Sequence, residues 1–488
     1  MGNTAVRIII ARNTALRNTA VQNTAVRNTA AALAAAAALL AAGCSGGSSG
    51  SADPGPASST AAPEGRPSHT ISPIALGPAD WPTYNRDNAR RGVAPGLQKP
   101  GPLAVAWHAP LDGAVYGQPL VLGKLIVAAT ESDTVYGLDA ATGHVLWHTS
   151  LGRPQPLSGL SCGDIDPLGI TSTMAYDSAS GSLFALAEVD GGHHYLAALD
   201  PSDGTLLWKT AVEPPRGYPS ATQQRGALTV AFGRVYVPFG GLYGDCGFYN
   251  GSVVSVPVSG TGAQQSYAVP TQREAGIWTP GGLAVSGNTL YASAGNGAAA
   301  GGAYDGSDSV IALSPDLKRT DYFAPTSWAT DNAADLDLGA MSPALVGDDV
   351  LIVGKSGTAY ALRGGHLGGI GGEFGQKREC PAFGSASVSG TTAYVSCPEE
   401  IRAMSVTATG ITDVWRTPIK NASSATVGGG AVWDVDYSDG ILYELSQTDG
   451  HVSAQVSVGP ATRFTNPTLS GDRAYIGTAA GVTAVSGV

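Results

Sequence analysis

Residues 125–152 read LIVAATESDTVYGLDAATGHVLWHTSLG, and residues 183–212 read LFALAEVDGGHHYLAALDPSDGTLLWKTAV. In each, an apolar run, a turn and a second apolar run lead to Asp-x-x-x-Gly, with a tryptophan four residues after the glycine. Asp139, Gly143 and Trp147 therefore match Asp200, Gly204 and Trp208. Short runs of branched and aromatic residues cut by Gly and Asp are strands and turns. Weaker copies follow in VYVPF…SVVSVPVSGTG, TLYASAGNG…SVIALSPDL, VLIVGKSGTAYALRGG, TAYVSCPEEIRAMSVTATGITDVW, AVWDV…ILYELSQTDGHVSAQV and AYIGTAAGVTAVSGV. Units of four short antiparallel strands repeated at this spacing are the blades of a β-propeller.

Seven units run from 116 to 460, and a three-strand remnant occupies 463–488. The strand LAVAWHAPL at 103–111 has no partners of its own and completes that remnant. The expected fold is thus all-β, an eight-bladed propeller of four-stranded antiparallel blades closed by an N-terminal strand, with seven blades as the alternative count. Closure removes the unpaired backbone that an open array leaves at both ends. The fifth blade is the weakest, because HLGGIGGEFG makes a poor outer strand. Trp147, Trp208 and Trp415 share one repeat-defined place on an outer strand, which assigns them to packing between blades.

Composition agrees. The 488 residues are 13% charged and include 67 Gly, 31 Pro and 18 Tyr, a turn-dense β profile. A net charge of -11 leaves no basic stripe to neutralise phosphates, which excludes nucleic acid as the partner. Catalytic-triad, P-loop and metal-hydrolase motifs are not visible.

The first 43 residues read as a signal peptide. Asn-Thr-Ala recurs at Asn13, Asn18, Asn23 and Asn28 among arginines without acids, and feeds the short apolar run AAALAAAAALLAAGC. Leu40–Cys44 resembles a bacterial lipobox, which implies lipidation of Cys44, a membrane anchor and a place on the extracytoplasmic face of the cell membrane. Residues 44–79 are a Gly/Ser/Pro tether, and 80–488 are the propeller. The other cysteines, Cys162, Cys246, Cys380 and Cys397, are even in number and form no CxxC or CxxCH, so disulfides are expected. Cys380 enters strand A and Cys397 ends strand B of blade 6, within bridging reach. Cys162 and Cys246 lie on two expanded loops of one face and can clamp its rim.

Loop lengths point to a functional face. GGLYGDCGFYNG and GNGAAAGGAYDGSD expand the B–C loops of blades 3 and 4. RPQPLSGLSCGDIDPLGIT, EPPRGYPSATQQRG and APTSWATDNAADLDLGA lengthen three of the loops between blades. All emerge on the same side, while the opposite turns are minimal. That side gathers Asp164, Asp166, His193, His194, Arg225, Asp245, Trp278, Asn296, Asp305, Asp308, Asp331, Asp335, Asp337 and Lys355. Taken singly, carboxylates in such loops are common as turn caps.

The Asp-x-x-x-Gly-x-x-x-Trp units and the leading segment DWPTYNRDNARRG resemble the repeats of pyrroloquinoline quinone (PQQ) propellers over residues 80–488. That superfamily holds quinoprotein alcohol dehydrogenases, polyvinyl-alcohol-dehydrogenase-like proteins and non-catalytic scaffolds similar to BamB. The resemblance implies Trp278 as the floor beneath the quinone, Asn296 and Asp245 as calcium ligands, Asp331 as the catalytic carboxylate with Asp335 or Asp337 as substitutes, and Lys355 at the quinone carbonyls. A hard cation takes oxygen ligands, a carboxylate takes the alcohol proton, and a lysine steadies the oxygen that gains charge. Two functions follow as expectations. One is a lipid-anchored, monomeric dehydrogenase using PQQ and calcium on a small or polymeric alcohol. The other is an envelope scaffold binding protein or glycan through the same face.

Overall fold

The computed structural model describes residues 71–488, so the signal peptide, the Cys44 lipidation site and most of the tether lie outside the described residues. Blade 1 shows the plan. Strands A (Leu120–Leu122), B (Leu125–Ala129), C (Thr134–Asp139) and D (Val145–Ser150) pair antiparallel in that order. The three inner strands are apolar and almost wholly buried, whereas VLWHTS alternates half-buried and exposed residues with the period of a strand that has one wet face. Seven further blades repeat it, with A strands at Ala175–Asp177, Thr229–Ala231, Ala284–Ser286, Ala344–Val346, Ser387–Ser389, Thr426–Gly428 and Thr468–Ser470. Ala104–Pro110 pairs antiparallel with Gly481–Ser486 as the outer strand of blade 8. The eight-blade count and the closure expected from the sequence are both present.

The Trp and Gly of the repeat meet across blade boundaries. Trp147 Nε1 donates to Pro201 O at 3.0 Å, and Trp415 Nε1 donates to Gln447 O at 3.1 Å. Each indole lies where a side chain on the next blade's repeat glycine, Gly204 or Gly450, would have to sit. Those glycines also hold φ of 74°, so conformation and contact both demand Gly. Trp107 makes the same contact with Gly143, joining blade 8 to blade 1.

Residues 81–94 thread the central channel. Trp81 exchanges backbone hydrogen bonds with Val121 of blade 1, and Tyr176 N–H of blade 2 donates to Pro82 O. Asn88 Nδ2 donates to Val230 O of blade 3, and Val285 N–H of blade 4 donates to Asn88 O. Val388 N–H of blade 6 donates to Arg91 O, and Val427 N–H of blade 7 to Gly92 O. Asn466 Nδ2, at the start of blade 8, donates to Asn85 Oδ1 at 2.6 Å. Arg90, 1% exposed, donates to Thr83, Tyr84, Leu228, Thr229 and Leu283.

Two details differ from the sequence reading. HLGGIGGEFG does not supply the outer strand of blade 5: Gly369–Ile370 pairs parallel with Arg319–Ala324 of blade 4, and Gly375–Arg378 takes the outer place. Glycine-rich chain can lie against a neighbouring blade where a side chain could not. The end of the expected tether, residues 71–79, rests on blade 2, where Ile74 N–H donates to Tyr176 Oη at 2.7 Å and Ile74 packs on the core.

Blades 1 and 2 meet at buried acids. Glu131, Asp133 and Glu188 are at most 2% exposed, and four of their carboxylate oxygens have no hydrogen-bond partner. Burial, with help from neighbouring acids, pushes Glu131 and Asp133 up to about 8. Burial would lower His194, but Glu188 and Glu213 carry it up to about 9. An acid whose pKa is raised by folding is easiest to bury below its unfolded pKa, so stability falls as pH rises from about 4 to about 8.

Asp133→Asn, which cannot ionise, is expected to shrink the loss of stability between about pH 5 and about pH 9 by roughly 1–3 kcal/mol, read by chemical denaturation at both values. Arg90→Met is expected to cost about 3 kcal/mol or more, because it strips five donors from buried acceptors; thermal unfolding checks it.

Candidate functional site

Loops joining strand B to strand C, and those leading into strand A of the next blade, emerge on one face. A cavity of about 330 Å3 opens there, within the range of small-molecule sites. A smaller void shares Arg225, Pro280, Arg463 and Phe464 with it and reaches Tyr84 of the channel segment.

Trp278 lies just before strand A of blade 4. Its ring rests where side chains on Gly240, Gly276 and Gly295 would otherwise sit, and Nε1 donates to Gly241 O at 3.2 Å. Three glycines from two blades therefore let the indole settle onto backbone, and the half-buried ring lines the cavity.

Lys355 stands in the Gly-Lys-Ser-Gly turn between strands B and C of blade 5. Its Nζ is 2.5 Å from Asp337 Oδ2 and 2.9 Å from Asp335 Oδ1. The Lys355 N–H also donates to Asp337 O. Asp337 Oδ1 accepts Asn296 N–H at 2.7 Å, and Asn296 Nδ2 donates to Asp335 at 2.9 Å. Burial pulls the Lys355 pKa down, but the two aspartates outweigh it and raise it. Burial also raises Asp337, against the pull of Lys355. The next residue, Leu338, donates its N–H to Asp308 Oδ1 at 2.9 Å, and Asp308 is fully buried with Oδ2 unpartnered.

Asp164, Arg225, Asp245, Trp278, Asp335, Asp337 and Lys355 all line the cavity. Asp331 does not: it sits on the helix Trp328–Ala333, and its carboxylate accepts Ser327 Oγ at 2.6 Å. Asn296 approaches through Asp335 and Asp337. Asp245 Oδ1 accepts Tyr249 Oη at 2.5 Å. Asp305 and Asp166 accept from neighbouring loop groups, while His193 and His194 pair with Glu213. These four stand outside the cavity. Among the described residues no three acidic or imidazole groups gather as a metal centre. Of the two expected calcium donors, Asn296 Oδ1 is buried and unpartnered, and Asp245 accepts Tyr249 Oη through Oδ1.

The disulfide Cys162–Cys246 joins the loop between blades 1 and 2 to the B–C loop of blade 3, with Cα atoms 6.1 Å apart. It lies beside Gly244 at the cavity wall and above the apolar contact of Ile165, Leu168 and Leu242. Cys380–Cys397 forms in blade 6, also at 6.1 Å. Missed by the sequence reading were Phe383, Arg463 and Phe464, which line the cavity from inter-blade loops of ordinary length. Loop length was the signal followed, and it is silent about a short loop that ends at the axis.

Residues 104–238 match the family model described as outer membrane protein assembly factor BamB. The match is a likeness to PQQ-type propeller repeats over those residues. Over 183 residues the chain is 30% identical to the dehydrogenase subunit of the quinone alcohol dehydrogenase of Gluconobacter oxydans, covering 35% of this chain and 23% of that protein. It is 31% identical over 176 residues to the polyvinylalcohol dehydrogenase of a Sphingopyxis species, covering 34% and 24%. The chain thus spans about a quarter of the length of the curated relatives it matches. The quinohemoprotein alcohol dehydrogenase of Comamonas testosteroni superposes with a TM-score of 0.66 at 15% identity, covering 83% and 80% of the two chains. At that identity the likeness is one of fold.

A β-carbon at Gly295 overlaps both the Trp278 ring and the Asp337 carboxylate. Gly295→Ala is expected to cost about 1–3 kcal/mol by overpacking and to change the near-ultraviolet circular dichroism of the tryptophan region.

Proposed function

We propose that this PQQ-repeat propeller is a quinoprotein-type dehydrogenase that oxidises an alcohol. The observation that carries the reading is the pairing, in one cavity, of a tryptophan face seated on glycine backbone with a lysine held between two aspartates. A flat ring system stacks on an indole at offset, and an ammonium beside it stabilises a ring oxygen that gains charge. The residues fit a quinone. For a hard cation they offer Asn296 Oδ1, buried and unpartnered, and the Asp245 carboxylate, while Lys355 is the cation that compensates Asp335 and Asp337.

A bound quinone supplies the two-electron acceptor for the hydride that leaves the alcohol carbon. The chain's share is placement and proton transfer. Asp337 is the carboxylate best suited to take the hydroxyl proton: it lines the cavity, its side chain is 3% exposed, and burial raises its proton affinity. Asp331, turned to Ser327, is not in reach of that role in this arrangement. Lys355 keeps its charge throughout, since its own pKa is raised.

The proposal extends to a lipid anchor at Cys44 and a place at the outer face of the cell membrane, a reading supported by the lipobox-like sequence and the tether composition. A second reading, a scaffold that binds an envelope protein or glycan on this face, is favoured by the BamB family match over residues 104–238.

Added PQQ is expected to bind the purified protein and to support alcohol-dependent dye reduction. Asp337→Asn should lower kcat by about 100-fold or more, while Asp331→Asn changes it by less than about threefold. With the wild type, the acid limb of the pH–rate profile should lie above the ordinary aspartate range, because activity needs the ionised carboxylate. Absence of cofactor binding at micromolar concentration sinks the enzyme reading in favour of the scaffold.

A further inference from the structure

Arg225 and Arg463 reach the cavity from the loops before blades 3 and 8. The Arg225 guanidinium carbon lies 4.5 Å from the Phe464 ring centre and 5.8 Å from that of Tyr116. The Arg463 guanidinium carbon lies 4.5 Å from Phe383 and 5.1 Å from Phe464. Phe464 adopts φ of 71°, a conformation that a phenylalanine holds only when its surroundings impose it. Two guanidinium groups and three aromatic rings are thus interleaved on one wall.

The donors of that wall are almost unused. A guanidinium carries five N–H donors in its plane. Among the described residues the Arg225 side chain makes one hydrogen bond, from Nη2 to Arg463 O at 3.4 Å, and the Arg463 side chain makes none. Neither forms an ion pair, and Asp164 is the foremost acid acting on Arg225. Burial lowers the Arg225 pKa, and Arg463 adds to the lowering. Stacking occupies the faces of a guanidinium and leaves its edges free, the geometry that takes a carboxylate by two parallel hydrogen bonds. The third cation of the cavity, Lys355, is already compensated by Asp335 and Asp337. Among the cations lining the cavity, this pair is therefore the one with no carboxylate in direct contact.

We propose that Arg225 and Arg463 form a carboxylate-binding edge that orients a flat aromatic polyanion lying on Trp278. The inference deepens the quinone reading and rests on the same cavity, but it concerns charge and shape rather than redox chemistry. It assigns the carboxylated edge of the ligand to the arginines and leaves a carbonyl edge for Lys355. Phe464 and Phe383 hold the guanidinium planes in place.

The test uses the purified protein with two probes, PQQ and the redox-inert benzene-1,2,4,5-tetracarboxylate, with binding read by calorimetry and tryptophan quenching. Arg225→Gln and Arg463→Gln are each expected to weaken both probes about 10- to 100-fold, and raised salt should weaken wild-type binding. A trimethyl ester of PQQ should bind wild type and variants alike. Arg463 is exposed, so its variant keeps the fold even if Arg225→Gln does not. Equal binding of the anionic probes by wild type and folded variants, or no binding by either probe, overturns the proposal. Arginine-dependent binding without alcohol-dependent dye reduction upholds it and removes the dehydrogenase reading instead.

Discussion

The hydrogen bonds of residues 81–94 are the constraint on which the rest of the molecule depends. Strand A of each blade leaves its inner edge facing the axis, where unpaired backbone in a dry channel is costly. The segment meets that need on six of the eight blades, at Val121, Tyr176, Val230, Val285, Val388 and Val427, and reaches a seventh through the side-chain pair of Asn85 and Asn466. Asn85 and Arg90 make most of the side-chain contacts, and both are buried to 1% or less. A single chain that binds so many blades fixes their radial spacing. Its Tyr84 also lines the small void that shares Arg225, Pro280, Arg463 and Phe464 with the cavity.

The outside of the ring is held by a different device with the same effect. Each Trp-on-Gly contact couples a blade to the next, and Trp107 on Gly143 couples the last to the first. Because Trp107 belongs to the strand that follows the channel segment, the two devices share one stretch of chain. Displacing residues 81–94 would therefore load the closure of blade 8 as well as the axis.

The fold was legible because its signals are local and repeated: period-two apolar runs, a Gly that must take positive φ, and a Trp at fixed distance from it. Where the repeat decayed, as in HLGGIGGEFG, the expected outer strand was a poor one, and in the structure Gly369–Ile370 pairs with blade 4 while Gly375–Arg378 takes the outer place. Lys355 was legible through register alone. Which of Asp331, Asp335 and Asp337 line the cavity was not, because Asp331 lies on a short helix and accepts Ser327 Oγ, whereas the other two follow that helix. Arg463 and Phe464 were invisible for another reason: their neighbours, Arg225 and Phe383, arrive from blades distant in sequence.

The lysine network also settles which of its partners can yield to a ligand. Lys355 holds Asp337 at 2.5 Å and Asp335 at 2.9 Å, but their side chains are 3% and 74% exposed. An ion pair with a mostly hydrated carboxylate is worth little, because water replaces the lysine at small cost. A pair with a buried carboxylate cannot be broken without leaving a charge in poor solvent. On the proposed function, a ligand oxygen arriving at Lys355 would therefore displace Asp335 and leave Asp337 bound. Asp337 remains fixed by Asn296 N–H and by its neighbour's bond to Asp308, so the carboxylate holds its position while the lysine changes one partner. The exposed aspartate acts as a place-holder, and the buried one sets the geometry of the site.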